Sequence, residues 1–281
     1  MYLSYNTNGL VHHRLDDALE LLAEIGYRGV AVTLDHSTLN PFDPSFERNL
    51  QQTAILLGGL GMRSVVETGA RYLLDPRRKH QPTLVSDPRR GQPVRIEFLC
   101  RAIDAAVALG SDCVSLWSGA VDDGVTRATA MERLVDSLER VLEYAERAGV
   151  PLAFEPEPGM LIDTMASYSE LTQRLDSPAL RLTLDVGHLH CLGETPIPPV
   201  IHQWRQRLMN VHIEDMRRGT HEHLMFGEGE IDFPPVLAAL AEVGYSGGLH
   251  VELSRHSHEG VEAARRAQEF LVRARETAEK E

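Results

Sequence analysis

Short apolar runs alternate with amphipathic stretches along the whole chain, and each kind of run predicts a different element. Leu3–Thr7, Gly29–Leu34, Ser64–Thr68 and Cys113–Trp117 are compact apolar runs with the pattern of buried strands. Between them, Asp16–Ile25 places Leu19, Leu22 and Ile25 at helical spacing and stops at Gly26. Phe46–Leu60 and Val94–Leu109 are helices closed in the same way by Gly61 and Gly110, and Thr129–Ala148 is a long helix. The second half keeps the rhythm. Strands are expected at Leu152–Glu155, Leu182–Asp185, Met209–Glu214 and Gly248–Leu253. Helices follow them around Ser167–Leu175, around Val200–Arg207, at Pro234–Val243 and at Glu259–Ala278.

Eight strands alternating with eight helices imply parallel strands joined by helical crossovers. Eight such units in about 250 residues match a single (β/α)8 TIM barrel, an α/β fold whose site lies at the C-terminal strand ends. The competing doubly wound sheet would carry a glycine-rich phosphate loop after an early strand, and the chain has none. No Pro- or Ser-rich linker interrupts the alternation, so residues 1–281 read as one domain. Two irregular stretches, Gly69–Pro93 and Arg217–Asp232, follow the third and seventh strands and are long enough to be functional loops over the mouth of the barrel. The first holds Arg77, Arg78, Lys79, Arg89 and Arg90, which either grip a phosphate or are simply solvated.

The four strands of the second half end in metal-ligand residue types: Leu-Ala-Phe-Glu155, Leu-Thr-Leu-Asp185, Asn-Val-His212 and Leu-His-Val-Glu252. A lone strand-end carboxylate is usually a cap or a surface group. Four in consecutive units point to one shared metal site. Three carboxylates and one imidazole make an oxygen-rich set suited to Mn²⁺, Mg²⁺ or Co²⁺, with Zn²⁺ also accommodated. Glu157, in Phe-Glu-Pro-Glu-Pro-Gly, competes with Glu155 as ligand, but Glu155 continues its strand. In Leu-Asp-Val-Gly-His, Gly187 is read as the pivot of a tight turn that swings His188 toward the same mouth. Asn6, His36 and Trp117 are candidate pocket residues, with Trp117 either a stacking wall or plain core.

Charge narrows the partners. A net charge of −13 opposes phosphate-backbone binding, so no nucleic-acid partner is expected. The N-terminus has no signal-peptide pattern, no apolar run is long enough to cross a membrane, and Cys100, Cys113 and Cys191 are scattered. A cytoplasmic protein without a membrane partner is the expectation, and a homo-oligomer is compatible with it.

The segments Phe-Glu-Pro-Glu-Pro-Gly, Leu-Asp-Val-Gly-His, Val-His-Ile-Glu-Asp, Gly-Glu-Gly-Glu-Ile-Asp-Phe and His-Val-Glu-Leu resemble the xylose isomerase-like TIM-barrel superfamily over nearly the whole chain. That superfamily includes ketose 3-epimerases, hydroxypyruvate isomerase, inosose dehydratase and endonuclease IV. The resemblance implies that Glu155, Asp185, His212 and Glu252 bind one divalent cation, that Glu155 and Glu252 also move protons, and that His188 and Arg217 hold the substrate. The expected activity is isomerisation or epimerisation of a small sugar, keto-sugar or polyol through a metal-stabilised enediolate. The alternatives are a multinuclear metallohydrolase or a metal-dependent dehydratase. In endonuclease IV the positions matching His188, His221 and His223 help hold further zinc, so a second metal is conceivable here. Glu67 and Trp117 stand where that enzyme has zinc-binding histidines, a departure that counts against the nuclease reading.

Overall fold

The computed structural model describes residues 1–280. Eight parallel strands close into a barrel, and nine α-helices and one two-stranded hairpin accompany them among the described residues. In chain order the barrel strands are β1 (Tyr2–Asn6), β2 (Gly29–Thr33), β3 (Arg63–Glu67), β4 (Val114–Leu116), β5 (Leu152–Phe154), β6 (Leu180–Asp185), β7 (Leu208–Ile213) and β10 (Gly248–Val251). The hairpin strands are β8 (Asp215–Arg217) and β9 (Thr220–Leu224). The sequence-based expectation of a (β/α)8 barrel therefore holds. The strands run around it as β1-β10-β7-β6-β5-β4-β3-β2.

The residues fall into two compact units. The first contains Met1–Val32, Leu56–Arg63 and the chain from Leu182 onward. Its strands are in parallel register, with Ser4 opposite His250, His250 opposite His212, and His212 opposite Asp185. This rung is wholly polar and buried. Helices α1 (Leu15–Ile25), α6 (Val186–Leu192), α7 (Ile197–Trp204), α8 (Phe233–Glu242) and α9 (Gly260–Ala278) belong to the same unit. Leu19 and Leu22 are fully buried on α1, and Gly26 closes the helix at φ 110°, its N–H reaching the Leu22 and Ala23 carbonyls. The Tyr27 hydroxyl donates to the Ala264 carbonyl of α9 at 2.9 Å. Phe226, Phe233 and Phe270 pack as a triplet with centroid separations of 5.1–5.5 Å, fastening α8 to α9.

The second unit contains Thr33–Ile55 and Ser64–Arg181. Here β3 pairs with β4, and β4 with β5. Helices α3 (Gln92–Leu109) and α4 (Arg127–Ala148) pack on each other, with Phe98, Leu99, Ala102, Leu134, Leu138 and Val141 buried. Thr126 caps α4 by accepting the Thr129 N–H. Helix α5 (Met165–Arg174) opens with a reciprocal cap between Thr164 and Ser167. Helix α2 (Phe46–Leu60) is shared between the two units.

Two segments differ from the sequence-based reading. Val186–Leu192 is a helix of its own, begun by Asp185 as its N-cap, rather than a turn. Gly187 is therefore not a pivot. A Cβ there would lie 2.0 Å from Glu214 Oε1, so the glycine exists to let the buried Glu214 side chain approach. The stretch Arg217–Asp232 is not irregular either. Its first part is the β8–β9 hairpin, and the rest is pinned by Asp215. That carboxylate accepts N–H groups from Met216, Gly227, Gly229 and Ile231 at 2.8–3.1 Å. A buried acidic side chain here replaces the regular ladder that the loop lacks.

Candidate metal centre

Strand alternation explains how the first unit builds its site. Asn210 and His212 on β7, and Glu214 directly after it, are spaced by two residues and are all buried. His250 on β10 and Glu252 directly after it are spaced likewise. His212 Nδ1 lies 3.1 Å from Glu252 Oε2 and 3.9 Å from Asp185 Oδ2. Its other ring nitrogen, Nε2, is 3.2 Å from the Asn210 side-chain amide, and Asn210 is itself tied to Thr183 Oγ1 at 3.3 Å. The ring is thus fixed from behind, with Nδ1 directed at the carboxylates.

Asp185 divides its two oxygens. Oδ1 accepts the His188 backbone N–H at 2.7 Å and begins α6. Oδ2 is buried and has no hydrogen-bond partner. A buried carboxylate oxygen left unpaired among other ligands is what a cation would satisfy. Glu252 is held by the Asn8 amide, which donates to Oε1 at 2.8 Å. Burial works to raise the Glu252 carboxyl, but the hydrogen bond from His212 and the surrounding imidazoles hold it well below the usual range. Glu155, directly after β5, is buried in the second unit. Asp185, His212 and Glu252, all in the first unit, each offer one ligand atom, and these atoms lie within 4.8 Å of one another.

A second cluster consists of imidazoles. His188, His221 and His223 each offer a ring nitrogen within the same 4.8 Å limit. His188 Nε2 and His221 Nε2 are 3.0 Å apart. His223 Nδ1 donates to the Glu252 backbone carbonyl at 3.0 Å, which leaves Nε2 as its available lone pair. Burial pushes His188 down to about 4, so the ring is neutral at neutral pH and able to act as a ligand.

The remaining candidates are placed as follows. Arg217 is exposed on β8 and donates from Nη2 to the Glu228 carbonyl at 2.9 Å. Glu67 is buried at the end of β3, and Trp117 is 7 % exposed just past β4. Asn6 is buried at the end of β1, where Oδ1 accepts the Asn8 N–H. His36 is exposed, 3.4 Å from the Tyr72 carbonyl. Sequence reasoning overlooked Asn8, Asn210 and Glu214. The last two were legible in principle, because they alternate with His212 along the sequence. Asn8 joins Glu252 from the opposite end of the chain, and no local pattern announces that. Glu214 is fully buried, with His223 Nδ1 4.0 Å from Oε2, and burial together with Asp185 and Glu252 pushes its carboxyl well up.

The chain is 25% identical over 242 residues to the L-ribulose-5-phosphate 3-epimerase UlaE of Escherichia coli, covering 84% of this chain and 81% of that protein. It is 30% identical over 138 residues to the inosose dehydratase of Lacticaseibacillus casei, a match spanning 43% of this chain and 46% of that protein. Among solved structures it resembles a D-tagatose 3-epimerase-like protein with a TM-score of 0.84, at 21% identity, over 100% of this chain and 99% of the other. The sequence profile of the xylose isomerase-like TIM barrel matches residues 19–274, and the chain belongs to that family.

Proposed function

We propose that this chain is a single-domain, divalent-metal-dependent epimerase or isomerase of a small ketose or related polyol. The carrying observation is the buried set around His212: Nδ1 faces Glu252 and Asp185, and Asp185 Oδ2, with His188 Nε2 3.7 Å away, accepts no hydrogen bond. Glu155, Asp185, His212 and Glu252 would hold the cation. When bound, it would polarise a substrate carbonyl and acidify the neighbouring C–H. Glu155 and Glu252 then divide the proton work, one removing the proton and the other returning it on the opposite face. Asn8, on Oε1 of Glu252, sets the direction in which that carboxylate presents its free lone pairs. His188 and Arg217 are assigned to substrate hydroxyls. Mn²⁺, Mg²⁺ and Co²⁺ suit the oxygen-rich donor set best, and Zn²⁺ also fits it. The names of the epimerase relatives support the substrate class.

The test is turnover of a panel of ketoses, keto-inositols and their phosphates in D₂O with added Mn²⁺. Deuterium at the carbon beside the carbonyl is the expected result. Release of phosphate or water without such exchange, together with two or more tightly bound metals per chain, would overturn it. A second reading, the multinuclear metallohydrolase, is favoured by the His188, His221 and His223 cluster. Elemental analysis after reconstitution separates the two readings, with one ion per chain expected for the epimerase.

A further inference from the structure

Arg95, in the first turns of α3, has no exposed surface at all. Its guanidinium lies between two aromatic faces, 4.6 Å from the Trp117 centroid and 5.2 Å from that of Phe98. Nη2 donates to the Thr68 carbonyl at 2.7 Å. Nε and Nη1 are buried and find no acceptor. Ring faces stabilise the charge, but they do not satisfy N–H groups lying in the guanidinium plane. Burial pushes Arg95 down to about 9, and the group stays charged at neutral pH. A buried cation with unanswered donors is a costly arrangement unless something answers them.

The charges that act on the neighbouring His80 are positive. His80 packs edge-on against the same Trp117 ring, with centroids 5.4 Å apart. Burial chiefly, then Lys79, Arg95 and Arg71, lowers the His80 imidazole to about 4. The segment carrying these groups is held tightly. His80 Nδ1 meets the Gly69 carbonyl at 2.7 Å, and its backbone N–H reaches the Arg71 carbonyl at 2.5 Å. Ala70 and His80 both sit in the left-handed region, at φ 45° and 66°, which side-chain-bearing residues adopt at a cost.

We propose that Arg95 is the centre of an oxyanion-binding site beneath the β3–α3 segment, built for a phosphate or carboxylate group, with Trp117 as one wall and His80 at its rim. Guanidinium is the side chain best matched to such groups, because its planar donors pair with their oxygens. The anion is either free in solution or the charged end of a sugar substrate. Only the second assignment rests on the function proposed above, since phosphate binding itself is measurable without turnover.

The two tryptophans of the chain are Trp117 and Trp204, so Trp204→Phe leaves Trp117 as the only indole reporter. Full-length Trp204→Phe protein is titrated with inorganic phosphate at constant ionic strength, with chloride as control, following indole emission. A saturable change with phosphate and none with chloride is expected. Arg95→Lys should weaken it about tenfold or more, because a point charge replaces the planar donors. If Arg95→Lys does not fold, Arg71→Ala and Lys79→Ala on the segment should each weaken the response by a smaller factor. Competition between phosphate and a phosphorylated ketose, with a KM rise in Arg95→Lys confined to phosphorylated substrates, assigns the anion to the substrate. Saturable binding without competition assigns it to a separate anion. Absence of any saturable response in the folded protein, or an unchanged response in folded Arg95→Lys, overturns the proposal and shows that the aromatic faces and water alone answer Arg95.

Discussion

At the scale of single residues, the candidate centre is shaped by side chains outside the proposed ligand set. Asn210 holds His212 Nε2 at 3.2 Å, and with the amide nitrogen as donor the ring proton sits on Nδ1 facing Glu252. A cation at Nδ1 requires the proton on Nε2, and the amide meets that by turning its oxygen toward the ring. Asn210→Leu removes this partner and should weaken divalent-cation affinity about 10–100-fold, measured by competition with a metallochromic chelator. Unchanged affinity would show that β7 alone orients the ring. His80 provides a pH effect away from the metal ligands. Its folded value is about 4 against an ordinary 6.5, so the unfolded chain binds more protons between those values. Its contribution is complete above pH 6.5 and disappears as pH falls toward 4, on the order of 3 kcal/mol. Urea unfolding across that range should show a shallower slope in His80→Gln than in the parent protein. His250, buried and likewise lowered by burial, contributes in the same direction and remains in both proteins.

At the scale of elements, close approach and loop pinning decide what is tolerated. Gly187 on α6 faces Glu214, just past β7, and a Cβ would also meet Met216 side-chain carbons at 2.8 and 2.9 Å. Gly187→Ala should cost about 1–3 kcal/mol by overpacking. Combining it with Glu214→Ala should recover part of that loss, and a thermal-melt double-mutant cycle measures the coupling. Additive losses would mean that the clash lies with Met216 instead. Asp215 organises residues 225–231 with no ligand role. Asp215→Ala leaves the N–H groups of Gly227, Gly229 and Ile231 without their acceptor. Hydrogen exchange at those amides should accelerate sharply while β10 amides stay protected. Uniform acceleration across the protein would indicate global destabilisation rather than loss of a pin.

At the scale of the whole molecule, binding a cation should be visible as stability. A cation held only by the folded barrel adds about 2.7 kcal/mol at a hundredfold excess over its dissociation constant. Mn²⁺ should raise the melting temperature of chelator-treated protein, and Asp185→Ala should abolish most of that rise. An equal rise in Asp185→Ala would place the ion elsewhere. The alternation of apolar runs and amphipathic stretches made the barrel legible, because burial on both faces of a parallel strand leaves a continuous apolar signature. Helix α1 was equally legible from its apolar spacing, and α1 and α3 from their glycine stops. Short α6 and the β8–β9 hairpin were not. Seven helical residues leave too little periodicity, and β9, Thr-His-Glu-His-Leu, is largely polar.

What the sequence by itself determined is the order of elements and the placing of a carboxylate or imidazole where four buried runs stop, at Glu155, Asp185, His212 and Glu252. Both follow from local chemistry: the spacing of apolar positions, and a carboxylate or imidazole where a buried run stops. Only the tertiary structure decided which atoms face one another. Asp185 Oδ1 is spent on starting α6 while Oδ2 remains for the site. Asn8 reaches Glu252 across 244 positions of sequence. Asp215, read beforehand as part of a ligand-bearing motif, became a loop staple, and Arg95 became a buried cation between two rings. The reason is physical. Which donors a buried charge finds is set by strand register, helix starts and loop closure, and these bring together residues whose separation along the chain carries no trace of their contact.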